Sequence, residues 1–141
     1  MIDSFQGEHR FLSNFWLSPV EFEGLIYPSV EHAYQAAKTF NPEDRKRIAA
    51  MSSPGQAKKA GKSLKLRVDW EQEKVGIMEY LVHAKFSTHN DLYEKLLATG
   101  TQELVEGNTW GDTIWGVCNG VGQNLLGKIL MKVRKEFADK T

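Results

Sequence analysis

Five helix starts are written into this sequence, and they constrain its fold more than any other feature. Ser29 precedes "VEHAYQAAK" and puts Glu31 in a first turn. "NPED" sets Asn41 as a cap, Pro42 at the first helical position and Asp44 at the third. "SPGQ" repeats that grammar with Ser53, Pro54 and Gln56, and Gly61 marks a stop. Asp69 opens "DWEQEKVGIMEYLVHAKF", and Asn90 opens "NDLYEKLLATG". Each start offers a side-chain oxygen to first-turn amides that have no partner within the helix. Starts this close together dictate short helices. A doubly wound sheet is disfavoured, because strand-like runs do not alternate with the helices. The expected architecture is mainly α, one compact domain over residues 1–141 with a small N-terminal β element. Phe22 and Tyr27 flank that element, a hairpin turning at Glu23-Gly24.

Two longer helices carry apolar stripes. Trp70, Ile77, Met78, Leu81 and Phe86 line one. "NLLGKILMKVRKEF" turns Leu125, Leu126, Ile129, Leu130, Val133 and Phe137 inward. A chain of 141 residues is the size of one domain, and 41% hydrophobic content supports a packed core. Its 18 basic and 18 acidic side chains cancel, which argues against the broad positive field of a dedicated nucleic-acid binder. Cys118 is the single cysteine, so an intramolecular disulfide and a thiolate metal cluster within the chain are excluded. It reads as a buried thiol rather than a nucleophile. The four histidines lack zinc spacing, and no redox-cofactor or nucleophile-elbow motif occurs. No metal and no cofactor are expected. The first residues lack an apolar signal segment, and no apolar run approaches membrane-spanning length. A cytoplasmic protein without membrane contact is the expectation; its oligomeric state stays open.

Glu31, Gln35 and Lys38 share one helical face, because residues three and four apart are neighbours. Ala33, Ala36, Ala37 and Phe40 form the apolar side. Two readings fit the polar row: a solvated face, or a functional wall. A first-turn carboxylate is stabilised by free amides and the helix dipole, whereas burial opposes its charge. An ionised Glu31 suits stabilising positive charge or orienting water.

"EGNTWGDTIWG" gathers Asn108, Trp110, Asp112 and Trp115 among glycines 107, 111 and 116. Indoles stack on flat heterocycles, and Asn or Asp bonds their edges or ribose hydroxyls; Asn119 and Asn124 lie nearby. The plainer reading is a loop in which Asn and Asp close turns and the indoles plug the core. "FLSNFW" poses the same choice: Phe11, Phe15 and Trp16 as core, with Asn14 in a turn or in a pocket wall. Arg45, Lys46, Arg47, Lys58, Lys59, Lys62 and Lys65 make a basic stretch, read either as a solvated face or as a holder of phosphate.

The motifs "FLSNF", "YPSVEHAYQAAK", "SPGQAKKAGK", "MEYLVHAKF", "LLATGTQELVEGNTWGD" and "WGVCNGVGQNLLGKILMKVR" together resemble the NADAR, or YbiA-like, family over nearly the whole chain. That resemblance implies a mainly α domain and an N-glycosidase, a hydrolase acting on N-glycosyl bonds. Some members act on phosphorylated ribosylamino-pyrimidine intermediates of riboflavin biosynthesis, and others remove ADP-ribose from guanine in nucleic acid. By resemblance, Glu31 matches the family's key glutamate, and Gln35 and Lys38 belong to the same motif. Lys85, Trp110, Asp112, Trp115, Asn119 and Asn124 resemble pocket residues, with Asn14 and Phe15 part of the wall. The implied partner is a small phosphorylated ribosylamine or an ADP-ribosyl substrate, with ADP-ribosylated nucleic acid as a further contact.

Two routes to C1′–N cleavage are open. In one, Glu31 stabilises the oxocarbenium-like transition state and directs water, with Asp112 binding hydroxyls or relaying a proton. In the other, a desolvated lysine, Lys85 ahead of Lys38, forms a Schiff base with the ring-opened sugar while Glu31 moves protons. The rival function is a non-catalytic ADP-ribose or nucleotide-binding module, which needs stacking and phosphate contacts but no turnover. A third is a small helical adaptor without a polar pocket.

Overall fold

Each of the five expected starts begins a helix in the computed structural model, which describes residues Met1–Lys140. The chain divides into two compact units. One runs from Asn14 to Lys85. The other joins Met1–Ser13 to the chain from Phe86 onward.

In the Asn14–Lys85 unit, β1 (Val20–Phe22) and β2 (Leu25–Tyr27) pair antiparallel, Val20 opposite Tyr27 and Phe22 opposite Leu25. Glu23 and Gly24 both take positive φ, the turn that matches the twist of a two-residue hairpin. Helix α1 (Val30–Ala37) follows, then α2 (Pro42–Ala49), α3 (Pro54–Gly61) and α4 (Trp70–Thr88), whose last three residues belong to the other unit. Asn41 Oδ1 accepts from the amides of Glu43 and Asp44, and Ser53 Oγ from Gln56. Both caps act as the sequence indicates.

Every residue of α1 is buried. It packs against α2, α3 and the hairpin, so it has no solvent face at all. The solvated-row reading of Glu31 and Gln35 is thereby corrected. Phe40 is also corrected: it lies beyond the helix end, 59% exposed, with the Arg67 guanidinium 4.1 Å from its ring centroid. That guanidinium forks onto Asp69 at 2.6 and 2.9 Å, while the Arg67 amide donates to the Lys38 carbonyl at 2.7 Å. Arg45, expected in the basic stretch, is buried instead. Its Nε donates to the Thr39 carbonyl and its Nη1 pairs with Glu23 at 2.7 Å.

In the other unit, Ile2 bridges Leu104, with backbone bonds to Glu103 and Val105. A 3-10 turn at Gly7–Leu12 brings Phe11 edge-on to Phe86. Helix α5 (Asn90–Ala98) packs on α6 (Leu125–Asp139), with the Tyr93 and Phe137 rings 4.7 Å apart. His89 rather than Asn90 stands at the α5 cap position. Leu125 is half-buried; the inward stripe of α6 is Leu126, Ile129, Leu130, Val133 and Phe137. A second β element, missed in the sequence, pairs β3 (Gly107–Asn108) parallel to β4 (Val117–Cys118). Cys118 is half-buried on β4 rather than buried.

Candidate active site

Glu31 occupies the first turn of α1, 8% exposed, and its amide donates to the Asn14 carbonyl at 3.1 Å. Asn14 is itself buried, with Nδ2 3.5 Å from the Met78 sulfur of α4. The turn in "FLSNFW" therefore ties the start of α1 to α4. One turn along α1, Gln35 Nε2 donates to Glu31 Oε2 at 2.6 Å. This short bond aims one carboxylate oxygen and fixes which way the amide faces, since a reversed amide would set oxygen against oxygen. Gln35 Oε1 is buried and has no hydrogen-bond partner.

The neighbouring cap is equally specified. His32 Nε2 lies 3.0 Å from the Met51 carbonyl, which can only accept, so Nε2 carries the proton. Nδ1 then accepts from Ser29 Oγ–H at 2.7 Å, while Ser29 Oγ accepts from the His32 amide. Burial pulls the His32 pKa below its ordinary value and so favours the neutral ring, opposed by the Met51 bond.

Lys38 ends α1, half-buried, with Nζ 5.9 Å from the Tyr34 ring centroid. Burial lowers its pKa. Glu31 opposes that shift, and the charges of Lys58, Lys62 and Lys74 add to it. Lys38 thus feels the buried Glu31 carboxylate together with three further lysine charges. Lys58 also lies 6.0 Å from the centroid of Phe15. Lys74 escaped the sequence reading because it sits outside the basic stretch. Its spacing is the available signal: it lies four residues after Trp70, whose ring packs 5.1 Å from Tyr34 of α1.

Lys85 is 1% exposed, on the face of α4 that Met78, Leu81 and Val82 bury. Burial pulls its pKa down to about 7. Roughly half of it is then a neutral amine near neutral pH, the form that attacks carbonyl carbon.

The tryptophan–glycine segment lies in the other unit, and its polar groups hold the segment together. Asp112 Oδ1 accepts from the amides of Ile114 and Trp115 at 3.1 and 2.9 Å. Asn108 bonds the backbone of Asp112 in both directions and reaches Glu106. Asn124 spans Leu104 and Glu106, donating to one carbonyl and accepting from the other's amide, each at 3.0 Å. The amides of Asn124, Leu125 and Leu126 donate to the carbonyls of Gly116, Ile114 and Trp115. The segment thus caps α6. Gly107 and Gly116 leave room for chain: a side chain there would overlap Asp3 and Glu106 respectively. Trp110 is 53% exposed and so does not plug the core; Trp115 is half-buried, and Asn119 stands exposed in the left-handed region. Among the described residues no cluster of His, Cys, Asp and Glu could hold a metal, and no helix is long and apolar enough to cross a membrane.

Residues 3–138 match the NADAR domain family model. The chain is 40% identical over 129 residues to N-glycosidase YbiA of Shigella flexneri serotype 5b, covering 89% of this chain and 80% of that one. It is 35% identical over 134 residues to a riboflavin biosynthesis protein of Vibrio vulnificus, covering 93% of this chain and 36% of that one. The NMR structure of Escherichia coli YbiA superposes with a TM-score of 0.86 at 34% identity, over 99% of this chain and 88% of that one. A match across nearly the whole length, in sequence and in fold, makes this chain a member of the NADAR domain family.

Proposed function

We propose that this chain is an N-glycosidase that cleaves the C1′–N bond of a phosphorylated ribosylamino-pyrimidine. The observation that carries this reading is the buried Glu31 carboxylate, held by Gln35 and bordered by lysines. A fixed carboxylate meets the positive charge that develops on C1′ and the ring oxygen. Lys38, Lys58 and Lys62 suit a phosphate at the far end of the substrate, where binding energy supports the reacting geometry. In the other unit, Trp110, Trp115 and Asn119 offer indole faces and an amide of the kind that suits a pyrimidine base. Asn14 supports the site through its bond to the Glu31 amide, and Asp112 and Asn124 hold the tryptophan–glycine segment together through the bonds described above. The N-glycosidase names of YbiA relatives agree with this chemistry, and the name of the Vibrio relative favours the riboflavin-type substrate.

The partly neutral amine of Lys85 makes a covalent route available beside direct water attack. Its lone pair adds to C1′ of the ring-opened, protonated imine of the ribosylamine. The proton released from the new Lys85 nitrogen passes through Glu31 to the pyrimidine amino nitrogen. That nitrogen leaves as a neutral amine, and C1′ becomes an imine on Lys85 Nζ. Water then adds to C1′, freeing the ribose phosphate aldehyde and the lysine. Substrate plus water gives aminopyrimidine plus ribose phosphate.

The test is borohydride reduction during turnover, followed by peptide mass spectrometry. A sugar phosphate reduced onto Lys85 is the expected product. No adduct, together with full activity in Lys85→Ala, would remove the lysine route. Glu31→Gln is expected to lower turnover about 10²–10⁴-fold. If it alters affinity alone and no product ever forms, the protein is a binding module.

A further inference from the structure

Gly61 closes α3 and looks like an ordinary helix terminator, yet its φ lies outside the left-handed region, so the backbone there does not require glycine. What requires it is the neighbour. A β-carbon at 61 would overlap Gln35 Oε1, approach the Gln35 amide carbon to 2.7 Å and press on the Gln35 β-carbon at 3.2 Å. Contacts under 3.0 Å force something to move, and Gln35 sits in a helix that is buried on every side. Its backbone is held by α1, so displacement falls on the amide group. That amide is the donor to Glu31 Oε2.

We infer that Gly61 is a positioning residue: its missing side chain sets where the Gln35 amide lies, and through that amide where the Glu31 carboxylate points. The inference rests on Glu31 being catalytic. A second observation supports it. Gln35 Oε1, 5% exposed at the residue level, is buried against Gly61 without a hydrogen-bond partner. Leaving a buried carbonyl unmatched costs stability, and a leucine or methionine would avoid the cost at that position. Gln35 is explained by what its nitrogen does for Glu31, and Gly61 by what it leaves room for.

The test is a cycle of Gly61→Ala, Gln35→Ala and the double variant, with Glu31→Gln beside it. Two readouts are used: steady-state turnover and the side-chain NH₂ signals of Gln35 in ¹⁵N NMR. Gly61→Ala is expected to move those signals and to lower kcat about tenfold to a hundredfold, the range for small misplacement of a reacting group, with KM changed less than about threefold. Gln35→Ala should lower kcat similarly. The double variant should be no worse than Gln35→Ala, because the clash has lost its target. Multiplied losses in the double variant would overturn the inference, as would unmoved Gln35 signals in Gly61→Ala. Should Gly61→Ala fail to fold, a folded double variant supports the clash and an unfolded one overturns it. If the signals move while Glu31→Gln turns over like wild type, the proposed function falls and the contact between Gly61 and Gln35 stands.

Discussion

Lysine at 85 occupies a position that α4 otherwise gives to apolar side chains. The stripe of Trp70, Met78, Leu81, Val82 and Phe86 is the inward face, and Lys85 completes it seven residues after Met78. Keeping the amine neutral there has a thermodynamic consequence. The folded-state pKa of about 7 lies below the unfolded value near 10.4, so the unfolded chain binds more protons between them. The stability Lys85 contributes is complete above the unfolded pKa and is lost as pH falls to the folded one. Urea unfolding should therefore show stability rising by about 3 kcal/mol between pH 7 and 9.5, and Lys85→Met should flatten that rise. On the covalent route kcat/KM should also climb through pH 7, reaching a plateau once the amine is neutral. A flat profile from pH 6 to 8 would exclude Lys85 as the nucleophile. Sequence marks this residue only weakly, as a lysine inside an apolar period. Its depressed pKa depends on how completely the surrounding side chains close over it.

At the level of elements, α1 is held at both ends by groups that the sequence partly announces. Ser29 is visible as a cap, and the structure gives it a second role as donor to His32 Nδ1. Replacing it by alanine should cost about 1–2 kcal/mol, combining a lost cap with a buried imidazole nitrogen left unmatched. The His32 pKa is lowered, so its contribution to stability is present above the unfolded value near 6.5 and is lost as pH falls below it. Thermal melts from pH 7.5 to 5.5 should show that loss, and His32→Gln should reduce its slope. At the far end of α1, Arg67 returns from a loop to the Lys38 carbonyl, a pairing across 29 residues that no local pattern encodes. The same holds for α6. Its amides are satisfied by carbonyls of the tryptophan–glycine segment rather than by a cap side chain, since Asn124 is turned into the left-handed region and spans Leu104 and Glu106. Asn124→Ala is expected to strip both side-chain hydrogen bonds and to leave alanine in the left-handed region, destabilising by about 2–3 kcal/mol, more than loss of an ordinary cap. Helix starts were legible because capping is local. The polar residues of this segment were ambiguous because one chemistry, an amide or carboxylate beside glycine, serves ligands and turns alike.

For the whole molecule, the balance of 18 basic against 18 acidic residues limits what the lysines near Lys38 can do. Local cations can hold one phosphate while the net charge of zero leaves no long-range attraction for a polyanion. Nonspecific duplex binding draws its strength from many phosphate contacts made at once and weakens steeply with salt. Several candidate cations here are already committed: Arg45 to Glu23, Arg67 to Asp69 and Lys74 to Glu71. The expected outcome is that unmodified duplex DNA gives no saturable anisotropy signal below about 100 μM protein at 0.15 M salt, the weak limit of nonspecific binders. A small phosphorylated substrate should instead show a KM that rises only a few-fold between about 0.05 and 0.2 M salt, since one or two charges are involved. Micromolar duplex binding with a steep salt slope would mean that these cations act together across the surface. It would transfer the preference from a free ribosylamine to a sugar carried on nucleic acid.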